Sequence, residues 1–222
     1  MHKLFYTLLL LFVLINCSQP RIEIPNLEDR FNNFVSNNTP IRDLSGSLIN
    51  GVGFSNYSNS QLQLHGAFNQ GIPHGLFKKY YENGQLMWKR TYKKGELDGL
   101  FEWYNENGQL LMKVIYKHGK ENGLFEDYYD NGKLKTKGIF KKGNRDGLWE
   151  DYYRNGQLES KGTFKDGKKD GLWKYYYRNG QLLGKGTYID AMRNGMWEEY
   201  YRGGSVKYRG TGVFQNGMKF SD

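Results

Sequence analysis

The feature that most constrains the fold of this chain is a glycine that recurs every 24 residues. One series consists of Gly75, Gly99, Gly123, Gly147, Gly171 and Gly195, and a second of Gly84, Gly108, Gly132, Gly156, Gly180 and Gly204. A fixed period of this length is typical of repeat proteins, in which each unit is one supersecondary element stacked on its neighbours. The pattern predicts about seven units over residues 51–222, with a degenerate first copy and a degenerate last copy.

Five units contain an Asn-Gly pair between aromatic and aliphatic residues, which predicts a β-hairpin. The pairs are Asn83-Gly84, Asn107-Gly108, Asn131-Gly132, Asn155-Gly156 and Asn179-Gly180. Asn-Gly favours a two-residue type I′ turn, because both turn positions need a positive φ. A three- or four-residue turn with a bulge would shift the pairing, and this alternative is open. The Gly-x-x-Asp-Gly step of residues 143–147 predicts a looser second turn.

A two-residue turn at Asn155-Gly156 determines which residues face each other across the hairpin. It predicts the pairs Tyr153–Leu158, Trp149–Gly162, Glu150–Lys161 and Gly147–Phe164. The same arithmetic pairs Glu102 with Lys113, Glu126 with Lys137 and Glu198 with Arg209, whereas Lys78–Lys89 and Lys174–Lys185 are like-charge exceptions. Trp173 should face Gly186 and Trp197 should face Gly210, so that a flat ring lies over a strand glycine.

The distribution of side chains predicts an all-β fold. Aromatic and charged residues occur together on both faces of the predicted strands, and the mean hydropathy is low at −0.78. We therefore expect an elongated single-layer antiparallel meander of stacked β-hairpins, with no second sheet covering it. Isolated hairpins are marginal in water, so each unit should be stabilised by its neighbours.

The N-terminus has the pattern of an export signal. Residues 4–15 are apolar except for Thr7, and this stretch is too short to cross a bilayer of about 30 Å as a helix. We read residues 1–16 as a signal peptide. The sequence Leu14-Ile15-Asn16-Cys17-Ser18 resembles the lipobox of bacterial lipoproteins, which implies that Cys17 carries a lipid. Asn16 departs from that pattern, in which Gly, Ala or Ser precedes the cysteine.

An incidental thiol after an ordinary signal peptide is the alternative reading of Cys17. The cysteine count is against it, because the single cysteine of an exported chain cannot form an internal disulfide. The resemblance also implies that Ser18 directs the protein to the outer membrane or cell surface. We read residues 17–50 as a lipidated N-terminus and tether, with a short helix over Leu27 to Phe34.

The repeat Asp-Gly-Leu-Trp-x-x-Tyr-Tyr-x-Asn-Gly-Gln-Leu-x-x-Lys-Gly-x-Phe resembles the MORN-repeat variant family. The resemblance covers about residues 51 to 218. Bacterial members are often described as YwqK-type toxin–antitoxin antitoxins. The resemblance implies an antiparallel sheet of hairpins and little about activity, since fold does not determine function.

Catalytic chemistry is not apparent in the sequence. The four histidines, His2, His65, His74 and His118, show no metal-ligand spacing, and no nucleophile or phosphate-loop motif occurs. Acidic residues fall at recurrent turn and ladder positions, and an open sheet lacks the concave pocket that catalytic groups need. We expect no enzyme activity, no cofactor and no metal.

Two tyrosine columns recur in the repeat, and the first of them is the candidate binding surface. The first consists of Tyr80, Tyr104, Tyr128, Tyr152, Tyr176 and Tyr200, and the second of Tyr81, Tyr129, Tyr153, Tyr177 and Tyr201. Stacked rings can replace a core in a sheet of this kind, which is the structural reading. The functional reading is a ladder of amphipathic rings, formed by the first column, that contacts a protein or a glycan.

The charge pattern limits the partners of the chain. The formal net charge of +9 permits an anionic surface or acidic glycan. Lysine and glutamate interleave, however, which is evidence against nucleic acid. We hypothesise a membrane-anchored envelope lipoprotein that binds an unknown protein as a scaffold. The alternatives are a glycan- or cell-wall-binding protein and an antitoxin-like neutraliser of a partner protein.

Overall fold

The computed structural model describes residues 21–207 and 210–221. They divide into unit 1, which ends at Leu97, and unit 2, which begins at Asp98. The predicted signal peptide, Cys17 and Arg209 lie outside the described residues, so the predictions made on them stay predictions.

Unit 1 contains one helix and a small sheet. Its elements are β1 (Arg21–Glu23), α1 (Leu27–Asn37), β2 (Gly51–Asn56), β3 (Leu62–Asn69), β4 (Ile72–Tyr80), β5 (Leu86–Lys93) and β6 (Glu96–Leu97). Strand β1 runs parallel to β2, and the strands from β2 to β6 are antiparallel to their neighbours in chain order.

Unit 2 is an antiparallel meander. Its strands are β7 (Gly99–Tyr104), β8 (Leu110–Lys117), β9 (Lys120–Tyr128), β10 (Leu134–Lys141), β11 (Asn144–Tyr152), β12 (Leu158–Lys165), β13 (Lys168–Tyr176), β14 (Leu182–Ile189), β15 (Met192–Glu199), β16 (Gly212–Gln215) and β17 (Met218–Ser221). Each strand pairs with the next in the chain. The prediction of an all-β antiparallel meander is confirmed.

The two turn types are the reverse of those predicted. At Asn155-Gly156 the loop has three residues, because Tyr153 N–H donates to the carbonyl of Gln157 at 2.9 Å. Only Gly156 has a positive φ, of 92°, as in a type I turn followed by a left-handed glycine. The Asn155 side chain stabilises this turn by accepting the Gln157 N–H at 3.1 Å.

The type I′ turn lies instead where the looser connection was predicted. Lys141 and Asn144 are paired, and the two residues between them have positive φ, of 53° at Lys142 and 87° at Gly143. His118 occupies the corresponding position of its own turn with a φ of 50°. His118 is therefore a turn residue in the left-handed conformation.

The three-residue loop changes the register near the turn. Tyr152, and not Tyr153 as predicted, is paired with Leu158. A bulge follows, because Asp151 pairs with Ser160 and leaves Glu159 as the extra residue. The bulge cancels the shift caused by the longer loop. The predicted pairs Trp149–Gly162, Glu150–Lys161 and Gly147–Phe164 are consequently all present.

In the last copy of the repeat, the pairing between strands differs from the predicted one. Trp197 is paired with Gly212, and not with Gly210 as predicted. The chain has two additional residues at this point, so the register moves by two positions. An even shift keeps each side chain on its original face, because the side chains of a strand alternate with a period of two.

Residues 21–50 do not form the predicted tether. The helix is present as α1, and it packs on the sheet of unit 1: the Phe31 ring lies 5.1 Å from that of Phe77 and 6.4 Å from that of Trp88. Ile24, Leu27, Phe31, Phe34, Ile41 and Ile49 are all buried. Their burial removes apolar area from water, and the free energy gained exceeds the conformational entropy that a flexible tether would keep. In the described part of the chain, no helix is both long enough and apolar enough to cross a membrane.

The sheet of unit 2 has two unlike faces. The aromatic face, defined by Trp149, Trp173 and Trp197, contains rings that are at most 1% exposed. The outer face, defined by Leu148, Glu150, Tyr152 and their equivalents 24 residues apart, carries the opposite residues of the alternation. In unit 1, helix α1 covers the face that contains Phe77, and His65 and Lys78 lie on the outer face.

Each tryptophan of the aromatic face lies over a glycine of the preceding hairpin. A Cβ atom added at Gly138 would be 2.2 Å from the Trp149 ring, and at Gly162 it would be 2.2 Å from the Trp173 ring. The prediction of a ring over a strand glycine is right, but the glycine is on the other neighbouring strand. Trp149 also donates through Nε1 to the Ile139 carbonyl at 3.1 Å, again in the preceding hairpin.

Neighbouring rings and a cation complete the burial of each tryptophan without a second layer. The Trp149 ring is 5.0 Å from Phe140 and 5.9 Å from Phe164, both edge to face. The Arg145 guanidinium lies 4.2 Å above the ring, and Lys169 and Arg193 cover Trp173 and Trp197 at 4.1 and 4.2 Å. These stacked rings and cation–π contacts take the place of a globular core.

The packing of tryptophan on glycine predicts the effect of one methyl group. Gly162→Ala should lower the free energy of unfolding by about 1–3 kcal/mol, because the new Cβ displaces the Trp173 ring. Gly203→Ala is the matched control, since a Cβ there meets nothing within 4 Å, and it should change stability by less than about 0.5 kcal/mol. Urea denaturation followed by tryptophan fluorescence measures both, and equal stabilities would contradict the packing described.

Candidate functional site

The outer face of unit 2 contains a row of charges that crosses the strands. Paired residues on successive strands place Glu102, Lys113, Glu126, Lys137, Glu150, Lys161, Lys174, Lys185 and Glu198 side by side. We call this the charge row. Opposite charges alternate along it except at Lys161, Lys174 and Lys185. The predicted pairs Glu102–Lys113, Glu126–Lys137 and Glu150–Lys161 are register partners, and the like-charge exception at Lys174–Lys185 is confirmed.

The ion pairs of the charge row connect one hairpin to the next. Glu126 contacts Lys113 at 2.6 Å, Glu150 contacts Lys137 at 2.7 Å, and each lysine belongs to the preceding hairpin. Glu198 and Lys185 repeat the contact at 3.1 Å. The turn residues add a similar connection, because the Tyr153 hydroxyl donates to the Tyr176 carbonyl at 2.7 Å.

The first tyrosine column lies beside the charge row, and its members are half-buried. Tyr152 donates to the Glu150 carboxylate at 2.7 Å, and Tyr128 and Tyr200 donate to Glu126 and Glu198. Tyr80 contacts His65 instead, at 3.3 Å. Tyr104 belongs to the same column. Lys174 lies two residues before Tyr176. An ammonium group therefore stands where Tyr152 and Tyr200 have a glutamate carboxylate as acceptor.

These hydrogen bonds perturb the carboxyl groups of the row. Partial burial opposes the ionisation of Glu150, but the hydrogen bonds from Lys137 and Tyr152 outweigh it and lower the pKa of this group. The pKa of Glu126 is lowered by the same balance, with Lys113 and Tyr128 as donors. At Glu198 the hydrogen bond from Tyr200 is the main cause of the lowered pKa. Glu126, Glu150 and Glu198 are therefore ionised in the folded protein at neutral pH.

The second tyrosine column has a structural role. The hydroxyls of Tyr129, Tyr153 and Tyr177 donate to the carbonyls of Tyr152, Tyr176 and Tyr200 at 2.7–2.8 Å. Each bond joins the turn of one hairpin to the first strand of the next. These hydroxyls hold neighbouring hairpins together through the backbone, whereas those of Tyr128, Tyr152 and Tyr200 in the first column donate to side chains of the charge row.

An apolar stripe that was not predicted from the sequence runs beside the charge row. It consists of Leu100, Leu124, Leu148, Leu172 and Met196, which recur every 24 residues and are 40–57% exposed. Ile139, paired with Leu124, extends the stripe and is 46% exposed. The signal was present in the sequence as the residue after each glycine, but a position in a strand does not show whether its side chain is covered.

Other candidate chemistry is sparse. No group of three or more His, Cys, Asp or Glu side chains within residues 21–207 and 210–221 is arranged to hold a metal ion. His65, His74 and His118 are not clustered as ligands, and Cys17 lies outside the described residues. The outer face of unit 2 therefore offers contact chemistry: exposed aliphatic groups beside fixed, alternating charges.

The pH dependence of stability tests the charge row. Carboxyl groups with a lowered pKa stabilise the fold above the ordinary value of 4.5, and this contribution is lost as the pH falls through their folded-state pKa. Thermal stability should therefore fall below pH 4.5, and it should fall less in the variant Glu126→Gln/Glu150→Gln/Glu198→Gln. Glu23→Gln/Glu82→Gln/Glu159→Gln, outside the row, is the control. Parallel profiles for the three proteins would contradict the assignment.

Comparison with known proteins agrees with the repeat geometry. Five consecutive segments match the model of the MORN repeat variant: residues 73–94, 97–118, 121–142, 145–166 and 169–190. Such repeats are generally scaffold or binding modules without catalytic activity. No curated protein matches the chain.

Proposed function

Since residues 73–190 of this chain are a tandem array of MORN repeat variants, we propose that the protein is a non-enzymatic envelope lipoprotein whose outer face binds a partner protein. The observation that carries the proposal is the apolar stripe. Aliphatic side chains that are about half exposed recur on every hairpin of unit 2, at one position beside the charge row. Contiguous apolar surface with a polar border is typical of protein-binding sites.

The arrangement favours a protein partner over the alternatives. Aliphatic groups and alternating charges match the mixed surface of a protein, with the charges determining its register. A glycan usually contacts the flat faces of exposed aromatic rings. The tryptophans of unit 2 at positions 149, 173 and 197 are buried, and Trp103, which is 45% exposed, offers a single ring rather than a ladder. Antitoxin-like neutralisation would be one case of binding a partner protein.

The membrane anchor is the second part of the proposal, and it is supported by the sequence of residues 4–18. Arg21 begins β1 four residues after Cys17. A fully extended chain of four residues spans at most about 14 Å. With residues 21–50 packed on the sheet, a lipid on Cys17 would hold unit 1 close to the membrane surface.

Affinity capture tests the binding surface. Full-length protein and the variant Leu148→Ser/Leu172→Ser are used to capture partners from envelope extracts, followed by mass spectrometry. We expect the variant to lose its partner at unchanged thermal stability, because both side chains are already more than half exposed. The control Val35→Ser/Leu44→Ser removes exposed apolar groups of unit 1 and should retain the partner. Equal capture by all three proteins would refute the proposed surface.

Phase partitioning tests the anchor. A protein that carries lipid on Cys17 should partition into the detergent phase, and Cys17→Ser should move it to the aqueous phase, because acyl chains provide the membrane affinity. Ser18→Ala is the control and should remain with the detergent. If Cys17→Ser also remains in the detergent phase, the protein is not anchored through this residue.

A further inference from the structure

A depression opens on the outer face of unit 1. It has a volume of about 440 Å³ and is lined by the polar residues Arg21, Asn56, His65 and Tyr80 and the apolar residues Val52, Phe54 and Leu62. A wider depression of about 990 Å³ shares Arg21, Val52 and His65 and adds Lys78. Cavities of a few hundred Å³ are the size that small-molecule ligands occupy.

Neither depression is lined by an acidic residue. The nearest acid in the sequence, Glu23, is on β1 two residues after Arg21 and lines neither of them. The register partners of Lys78 across the sheet are His65 and Lys89, and neither is acidic. The surface therefore has fixed positive charge from Arg21 and Lys78 beside an apolar wall.

Comparison of the repeats shows that unit 1 lacks the glutamates of the charge row. In unit 2 the charge row contains glutamate at positions 102, 126, 150 and 198. The equivalent positions in unit 1, at spacings of 24, are Phe54 and Lys78. Across β2 to β5 the row reads Phe54, His65, Lys78 and Lys89, without a carboxylate. Like charges directly opposite each other, such as Lys78 and Lys89, destabilise a sheet.

Tyr80 lacks the glutamate acceptor that other tyrosines of its column have. The hydroxyls of Tyr128, Tyr152 and Tyr200 donate to a glutamate two residues earlier. At Tyr80 that position is Lys78, and the hydroxyl lies 3.3 Å from Nε2 of His65, with the two rings stacked at 5.9 Å. Burial lowers the pKa of His65, and the charges of Lys78 and Arg21 lower it further. His65 is thus neutral at neutral pH, and it offers a hydrogen bond rather than a charge.

We propose that this depression binds a small organic carboxylate with an apolar body. The ligand carboxylate takes the place that a glutamate side chain has at positions 102, 126, 150 and 198 of unit 2. It accepts hydrogen bonds from Arg21, Lys78 and Tyr80. Its apolar body contacts Val52, Phe54 and Leu62. The same chemistry is available in a free organic acid and in the C-terminal residue of a peptide chain.

Titration calorimetry on the purified full chain tests the proposal. Hexanoate should bind at least about tenfold more tightly than hexanamide, which lacks the charge, and than acetate, which lacks the apolar body. A short peptide with a free C-terminal leucine is compared with its C-terminal amide. Tighter binding of the free-acid peptide than of hexanoate assigns the site to peptide termini, and the reverse assigns it to free acids.

Variants separate the site from general charge effects. Arg21→Gln/Lys78→Gln should weaken hexanoate binding at least about tenfold. Lys161→Gln/Lys174→Gln removes the same charge from the row of unit 2 and should leave binding unchanged. Lys78→Glu places in the site the carboxylate that Glu102, Glu126, Glu150 and Glu198 supply in unit 2, so it should abolish hexanoate binding and raise the melting temperature.

Three results would overturn the proposal. These are equal binding of hexanoate and hexanamide, an equal loss of binding in the two double variants, and full hexanoate binding by Lys78→Glu. None of these measurements depends on the lipid at Cys17 or on the apolar stripe, so the site can fail independently of the proposed scaffold function.

Discussion

The packing of a tryptophan on a glycine of the preceding hairpin is the contact on which the rest of unit 2 depends. A single sheet has no second layer to cover its apolar residues, so each ring must find its cover within its own face. The glycine removes the side chain that would lie beneath the ring, neighbouring phenylalanine or tyrosine rings cover its sides, and an arginine or lysine covers its upper surface. Because the ring and its glycine belong to different hairpins, every such contact joins two repeats.

The polar contacts follow the same rule. The Lys137–Glu150 ion pair and the hydrogen bond from Tyr153 to the Tyr176 carbonyl also cross from one hairpin to the next. An isolated hairpin would lose all three kinds of contact, which is the physical reason that hairpins of this type occur in arrays. The outer face thereby gains fixed charges at regular intervals, and the exposed aliphatic side chains between them are left for contacts outside the array.

In unit 1 the aromatic face is covered in a different way. Helix α1 covers it, with Phe31 stacked on Phe77 and buried aliphatic residues from the segments on either side of the helix. The outer face of the unit differs as well, because its row contains no glutamate, whereas the charge row of unit 2 contains four. The first hairpins are therefore more than a degenerate cap: they combine a covered face with a positively charged, partly apolar depression.

The sequence by itself determined the repeat, the hairpin as its unit and the pairing of Trp149 with Gly162 and of Glu150 with Lys161, because a 24-residue period and the alternation of side chains leave few registers. It did not determine the turn type at Asn155-Gly156, since a three-residue loop followed by a bulge gives the same distant pairs as a two-residue loop. It also did not determine which of two flanking strands Trp173 or Glu150 contacts. That choice depends on the direction in which each side chain leans across the sheet. The burial of residues 21–50 was equally decided by tertiary structure, because the apolar side chains of α1 are too few to predict a folded segment until the sheet provides the surface that covers them.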